Sequence, residues 1–283
     1  MLRSPIFYAG GKGRMVFKLL KLIPSHKYYC EVFGGGASLL FAKPPAEVET
    51  YNDIDSNLVN LFRVIRDEEK FKKFHKLVSL TLYSREEFNY CRDTLDESKD
   101  DVERAYKFFI VLRQSMAGAG NGWGFAVKTS HRNMSVEVSK YLAIIDILPL
   151  IHERLKIVQI ENDDFRKIIP RYDTEDTFFY CDPPYPLETR KNKLYKYELT
   201  LEDHKDLVNL LLKCKGKVML SCYWHDVYQP LLGAGWRKKE FKTACHFVIK
   251  SRHSGLQGKG NAIAKEPRTE VVLMNYEIIK SLF

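Results

Sequence analysis

Several large classes of protein are excluded by what this chain lacks. No apolar run reaches the roughly 18 residues of a membrane span, and the N-terminus carries no signal-peptide pattern. A soluble, cytoplasmic protein without a membrane partner is therefore expected. The six cysteines form no C-x-x-C and have no paired histidine spacing. Reduced core thiols and no metal are expected from that arrangement. A P-loop is missing too, because no G-K-[ST] stands at the required spacing. What is present in excess is positive charge, with a net +9 and a pI near 9.1. Such a surface attracts phosphate backbones through counterion release, which makes nucleic acid a plausible partner.

The length of 283 residues admits one large α/β domain or a core domain with a smaller insert. Near the start, Phe7-Tyr8-Ala9-Gly10-Gly11-Lys12-Gly13 forms a glycine-rich loop with one aromatic and one lysine. Glycines let a backbone approach a ligand closely, and Lys12 could meet a carboxylate or phosphate there. The strand candidate Tyr28 to Phe33 then runs into Gly34-Gly35-Gly36-Ala37-Ser38 and a helical pattern. Strand, glycine turn and helix in this order are the opening of a nucleotide-binding α/β unit. A second short strand, Val48 to Tyr51, ends in Asn52-Asp53, and Asp53 stands where dinucleotide folds place the acid that takes ribose hydroxyls. No third glycine follows Ser38, which argues against a pyrophosphate-bearing dinucleotide such as NAD. A cofactor with a ribose and no phosphates, such as S-adenosylmethionine, suits the pattern better.

From Leu58 to Met116 the chain reads as four helices with charged faces, followed by the glycine-spaced stretch Gly118 to Phe125. An Asn121-Gly122 pair within it predicts a tight hairpin or mobile loop. Residues 57–133 are thus expected to form an inserted helical subdomain, with 1–56 and 134–283 as the two parts of the main domain. Arg113, Asn121, Trp123, Lys128 and Arg132 are its candidate nucleic-acid contacts. One helix is expected over Val136 to Leu155, then a strand Ile157 to Ile160 ending in acidic residues and Phe165. Asp164 and Phe165 suit the border of an adenine pocket, or Asp164 simply caps a helix.

The apolar run Thr177 to Cys181 stops abruptly at Asp182-Pro183-Pro184-Tyr185. Each proline lacks an N–H and fixes φ, so the strand ends in a stiff elbow. Asp182 and the Pro183 carbonyl offer two hydrogen-bond acceptors, and Tyr185 offers a flat face for a nucleobase. A capped helix from Thr200 to Lys213, a strand from Gly216 to Tyr223, and an antiparallel pair over 236–243 and 269–276 complete the expected elements. Between the last two strands, Arg252 and Lys259 lie in a basic, glycine-rich stretch that fits a loop ordering on a polyanion.

With Tyr8-Ala9-Gly10-Gly11-Lys12, Phe33-Gly34-Gly35-Gly36, Asn52-Asp53 and Asp182-Pro183-Pro184-Tyr185 in that order, the chain resembles the Dam-like N6-adenine DNA methyltransferases. The resemblance implies a Rossmann-like α/β sheet with helices on both faces and a helical target-recognition insert. It implies S-adenosylmethionine as cofactor and N6 of a flipped adenine in double-stranded DNA as target. By the same resemblance Tyr8, Ala9, Gly10, Lys12, Phe33, Gly34, Gly36, Asp53, Asp164 and Phe165 border the cofactor, and Asp182 sits between cofactor and target amine. Tyr8 stands where the family usually has Trp. The partners to expect are duplex DNA and a cognate restriction endonuclease, with the enzyme a monomer. The competing readings are methylation of RNA adenine or of cytosine N4, a non-catalytic nucleic-acid-binding subunit, and an NAD-dependent oxidoreductase.

Overall fold

The computed structural model describes residues 1–8, 10–127, 129–130, 132–190, 193, 195–244 and 267–278. Seven strands form one sheet: β1 (Tyr28–Glu31), β2 (Val48–Asn52), β3 (Val158–Glu161), β4 (Thr177–Cys181), β5 (Lys217–Cys222), β6 (Arg237–Ala244) and β7 (Pro267–Met274). Their order is β3-β2-β1-β4-β5-β7-β6. The first five are parallel, and β7 enters antiparallel between β5 and β6. The order reverses between β1 and β4, so the crevice beyond their carboxyl ends is where such a sheet takes a ligand.

Alternation along the central strands builds two cores. Tyr29, Phe178, Tyr180, Met219, Val272 and Met274 face one layer, while Cys30, Phe179, Cys181, Val218, Leu220, Val271 and Leu273 face the other. A side-chain period of two on strands covered on both faces produces this split, and it explains why β4 reads as an unbroken apolar run. The second layer is closed by the helices Phe165–Tyr172, Leu201–Leu211 and Gln229–Gly233. Cys30, Cys91, Cys181 and Cys222 are free and buried, as expected for core thiols.

Between β2 and β3 the chain runs through the helices Ser56–Arg66, Glu68–Leu80, Arg85–Thr94, Asp101–Gln114, Val136–Ile145 and Leu148–Leu155. Their apolar faces join the core under the first side of the sheet. The single helix expected over Val136 to Leu155 is two, interrupted at Asp146 and Ile147. Pro149 is the reason: it has no N–H to donate to the preceding turn, and it fits the opening turn of a new helix.

Away from the carboxyl ends, a buried ion triad ties this helical layer to the sheet. Glu49 on β2 is fully enclosed, with Lys43 Nζ 2.5 Å from Oε1 and Arg154 Nη1 2.5 Å from Oε2. Arg154 also donates to the Leu40 carbonyl at 3.1 Å. Burial alone would raise the Glu49 pKa, but the two cations hold it below the usual range. Removing one member of such a group strands the others without partners. Glu49→Ala is expected to cost about 3–5 kcal/mol at neutral pH, read by urea unfolding. Because the folded pKa is depressed, that stabilisation is present above the ordinary carboxylate range and lost as the pH falls through the folded value. The gap between variant and parent should therefore narrow in acid.

Candidate active site

The loops at the carboxyl ends of β1, β2, β3 and β4 enclose a cavity of about 410 Å³. Tyr8, Gly10, Gly11 and Lys12 close one side of it, and Phe33 to Gly36 follow β1. Asp53 follows β2, Asp164 and Phe165 follow β3, and Asp182 and Pro184 follow β4. Five stretches distant in the sequence therefore converge on one space. Pro183 is buried and is not among the residues lining it.

Close packing fixes the glycine turn. A Cβ on Gly34 would stand 2.1 Å from the Tyr51 ring, which is itself fully buried. Gly35 takes a φ of +49°, where a glycine is at ease. Its N–H donates to Asp53 Oδ2 at 2.8 Å, and the Asp55 N–H donates to Oδ1 at 2.8 Å. Asp53 is thereby oriented by two backbone donors, while burial pushes its pKa up to about 6. Asn52 locks the neighbouring loop, donating to the Val32 and Asp163 carbonyls at 2.8 and 3.0 Å. Phe33 and Phe165 lie with ring centroids 5.5 Å apart and planes tilted by 39°, an apolar aromatic border. Asp164 does what the cheaper reading expected as well, capping the helix Phe165–Tyr172 by accepting from the Arg166 N–H at 2.8 Å.

At the other end of the cavity charges meet in a nearly dry setting. Lys12, only 8% exposed, donates to Asp182 Oδ1 at 2.7 Å and lies 3.3 Å from Glu270 Oε1. Burial works against the ammonium, but the two carboxylates overcome it and hold the Lys12 pKa well above its ordinary value. Burial also drives Asp182 up to about 6, against the opposing pull of Lys12. Tyr185 does not present a bare face. Its ring is buried, Lys12 Nζ stands 4.8 Å from the ring centroid, and Tyr223 packs edge-on at 4.6 Å. Its hydroxyl donates to Asp182 Oδ1 at 3.3 Å and, closer still, to Glu270.

Four residues that sequence reasoning did not single out belong to this region. Glu31, at the end of β1, lines the cavity and accepts from Tyr29 Oη at 2.8 Å and the Leu40 N–H at 3.0 Å. Burial raises its pKa to about 8. Glu270 is the second carboxylate on Lys12, and Tyr195 and Glu198 complete the cavity wall. For Glu31 and Glu270 the available signal was a lone acid inside an apolar strand.

The expected nucleic-acid contacts divide. Asn121 and Arg132 are exposed, Arg132 within 3.5 Å of Asp146. Trp123 is half-buried and stacks at 14° on Phe125, which is 55% exposed. The exposed Arg85, not anticipated, lies 4.6 Å over the Trp123 ring. Arg113 is corrected: it is 5% exposed, donates to the Lys140 carbonyl at 2.9 Å and lies 4.2 Å over the Phe7 ring. That enclosure lowers its pKa to about 10. Ala9, Lys128, Arg252 and Lys259 lie outside the described residues.

A sheet of this order, with a glycine-turn cavity at its switch point, defines a Rossmann-like methyltransferase fold. Residues 8–244 match the family of D12 class N6 adenine-specific DNA methyltransferases, and the chain belongs to that family. It is 26% identical to the type II methyltransferase M.MjaIII of Methanocaldococcus jannaschii, over 95% of this chain and 97% of that protein. It is likewise 26% identical to the type II methyltransferase M1.LlaDCHI of Lactococcus lactis subsp. cremoris, over 97% of this chain and 96% of that one. A DNA N-6-adenine-methyltransferase of Escherichia phage P1 is 25% identical over 74% of this chain and 28% of the phage protein. The activity is thus site-specific N6-adenine methylation of DNA, with S-adenosylmethionine as methyl donor. Among the described residues, no helix is long and apolar enough to cross a membrane.

The residues present fit that donor. Asp53 suits ribose hydroxyls, Phe33 and Phe165 suit an adenine ring, and Lys12 and Glu31 line the end left for the amino-acid group. The Gly34 position is a sensitive point of this wall, because an added methyl must displace the buried Tyr51 ring. Gly34→Ala is expected to destabilise the fold by about 1–3 kcal/mol and to weaken S-adenosylhomocysteine binding. Thermal unfolding with and without that ligand checks both effects.

Proposed function

We propose that Asp182 and the elbow after β4 carry out the transfer, on an adenine turned out of duplex DNA. The observation that carries this reading is Asp182 itself. It is an acceptor on the wall of the cofactor cavity, at the carboxyl end of β4 beside the sheet's switch point. When bound, S-adenosylmethionine supplies an electrophilic methyl on a sulfonium centre.

The adenine N6 lone pair is delocalised into the ring, so the amine is a poor nucleophile. Asp182 and the Pro183 carbonyl, each accepting one N–H, favour a tetrahedral nitrogen with its lone pair directed toward the cofactor side of the cavity. The amine proton becomes acidic only as positive charge develops on nitrogen, so Asp182 need not remove it beforehand and takes it as the new N–C bond forms. The protein's contribution is orientation and electrostatic stabilisation. Asp53 and the Phe33–Phe165 pair hold the donor in register. An adenine cannot reach this depth while stacked, so base flipping follows from the reading, and the Tyr185 ring, 8% exposed with Lys12 and Tyr223 against it, offers the extruded base no open stacking face.

The helical region 57–133 is assigned to target recognition, through Asn121, Trp123, Arg132 and the exposed Arg85. Lys128, Arg252 and Lys259 stay in the proposal on their sequence alone. Arg113 supports this region from inside rather than touching phosphate. The two type II relatives support a restriction-modification setting with a cognate endonuclease, and chemistry on one strand is compatible with a monomer.

The test is transfer of labelled methyl from S-adenosylmethionine to mixed-sequence duplex DNA, with RNA and Asp182→Ala in parallel. Label is expected in DNA as N6-methyladenine, with a loss of at least about 100-fold in the variant while S-adenosylhomocysteine still binds. Undiminished turnover in Asp182→Ala would sink the assignment. A separate expectation concerns pH. Asp182 must be ionised to accept its N–H and to stabilise the positive charge that develops on nitrogen, and burial places its pKa at about 6. The profile of kcat/KM should therefore fall on the acid side of about that value. A profile flat down to pH 5 would contradict the role.

A further inference from the structure

Glu270 sits in the middle of β7, one residue before the Val271 that pairs with Cys222 at the carboxyl end of β5. It is 5% exposed. A carboxylate in such a place costs several kcal/mol of desolvation unless it is well partnered, and its partners are both parts of the active site. The Tyr185 hydroxyl donates to Oε1, and Lys12 Nζ lies 3.3 Å from the same oxygen. Among the described residues, Lys12 and Tyr185 also hydrogen-bond to Asp182, both of them at Oδ1. Glu270 and Asp182 therefore share the same two donors.

We propose that Glu270 is a positioning residue for methyl transfer: by sharing Lys12 and Tyr185 with Asp182, it fixes the Asp182 carboxylate and keeps the site negatively charged. The inference rests on the assignment of Asp182 as the acceptor of the target amine. Two consequences of the geometry support it. The first is rotational. With Lys12 and Tyr185 anchored between Glu270 and Oδ1, the Asp182 carboxylate cannot turn freely, and Oδ2 is the oxygen left for an incoming N–H.

The second consequence is electrostatic. Lys12 alone would neutralise Asp182 as a tight pair and leave little net charge to face the nitrogen. Two carboxylates around one ammonium carry a formal excess of one negative charge. That excess lies where positive charge develops on the amine, in a setting dry enough for it to act strongly. Glu270 touches neither reactant in this account. It acts through Lys12 and Tyr185.

The charge and the hydrogen bond can be separated by substitution. Glu270→Gln keeps an acceptor oxygen for the Tyr185 hydroxyl and removes the charge. Glu270→Asp keeps the charge on a shorter stem. Each variant is compared with the parent by thermal unfolding, by S-adenosylhomocysteine titration and by single-turnover methyl transfer to duplex DNA. The expected result is a fall of about 10- to 100-fold in the transfer rate of Glu270→Gln. Cofactor affinity and the KM for DNA should stay within about threefold, and Glu270→Asp should recover most of the rate.

Parental turnover in Glu270→Gln would overturn the proposal. So would a rate loss matched by an equal loss of cofactor binding or of folding, since that marks a merely structural residue. The parent separates the two levels of the account. If it fails to methylate adenine, the assignment of the site fails. If it is active and Glu270→Gln is equally active, only the role of Glu270 fails.

Discussion

The Lys12–Asp182 pair is the interaction on which the site depends, because it joins segments that nothing local would bring together. Lys12 comes from the loop before β1, Asp182 from the end of β4, and Glu270 from the strand next to the opposite edge. Buried charges of this kind are tolerated only when geometry and additional donors satisfy them. The N-terminal loop, the elbow and β7 must therefore be in place together. The same contact brings the wall of the cofactor cavity against the acceptor expected to face the target amine. Disturbance on one side of the cavity is thus felt directly on the other.

A second constraint is the packing that shapes the cavity. Tyr51 leaves no room for a side chain at Gly34, and it donates through its hydroxyl to the Gly35 carbonyl at 2.8 Å. Gly35 in turn presents its N–H to Asp53. A core aromatic, a glycine turn and Asp53 are thus one mechanical unit. Asp53 holds its orientation through backbone donors that substitution elsewhere cannot easily remove. The charged end and the apolar end of the cavity are built by different means, one by ion pairing and the other by close packing.

Much of this could be read from the residues. Period-two alternation and abrupt stops placed the strands, and Thr200 with Asp203 gives the capping box read at the helix after the elbow. The four motifs that converge on the cavity are those that the sequence put forward. Other features were illegible for physical reasons. Arg113 looked like a surface cation beside a glycine-rich loop, yet it follows Phe109 by one helical turn and so lies on the buried side. Glu31 and Glu270 are single acids in apolar strands. Whether such an acid faces solvent or a lysine 258 residues away, as Glu270 faces Lys12 (270 − 12), depends on strand order, which local pattern does not carry. Arg85 needed the tertiary fold to bring it over Trp123.

The central claim is spatial: the target amine meets Asp182 beside the donor, outside the DNA stack. A crystal structure with S-adenosylhomocysteine and a duplex containing the target sequence tests it most directly. The account predicts an extruded adenine with N6 about 2.7–3.2 Å from Asp182 Oδ2 and the Pro183 carbonyl, with Lys12 still held between Asp182 and Glu270. An adenine that remains stacked in the duplex, or an N6 that finds its acceptors elsewhere in the cavity, would contradict it.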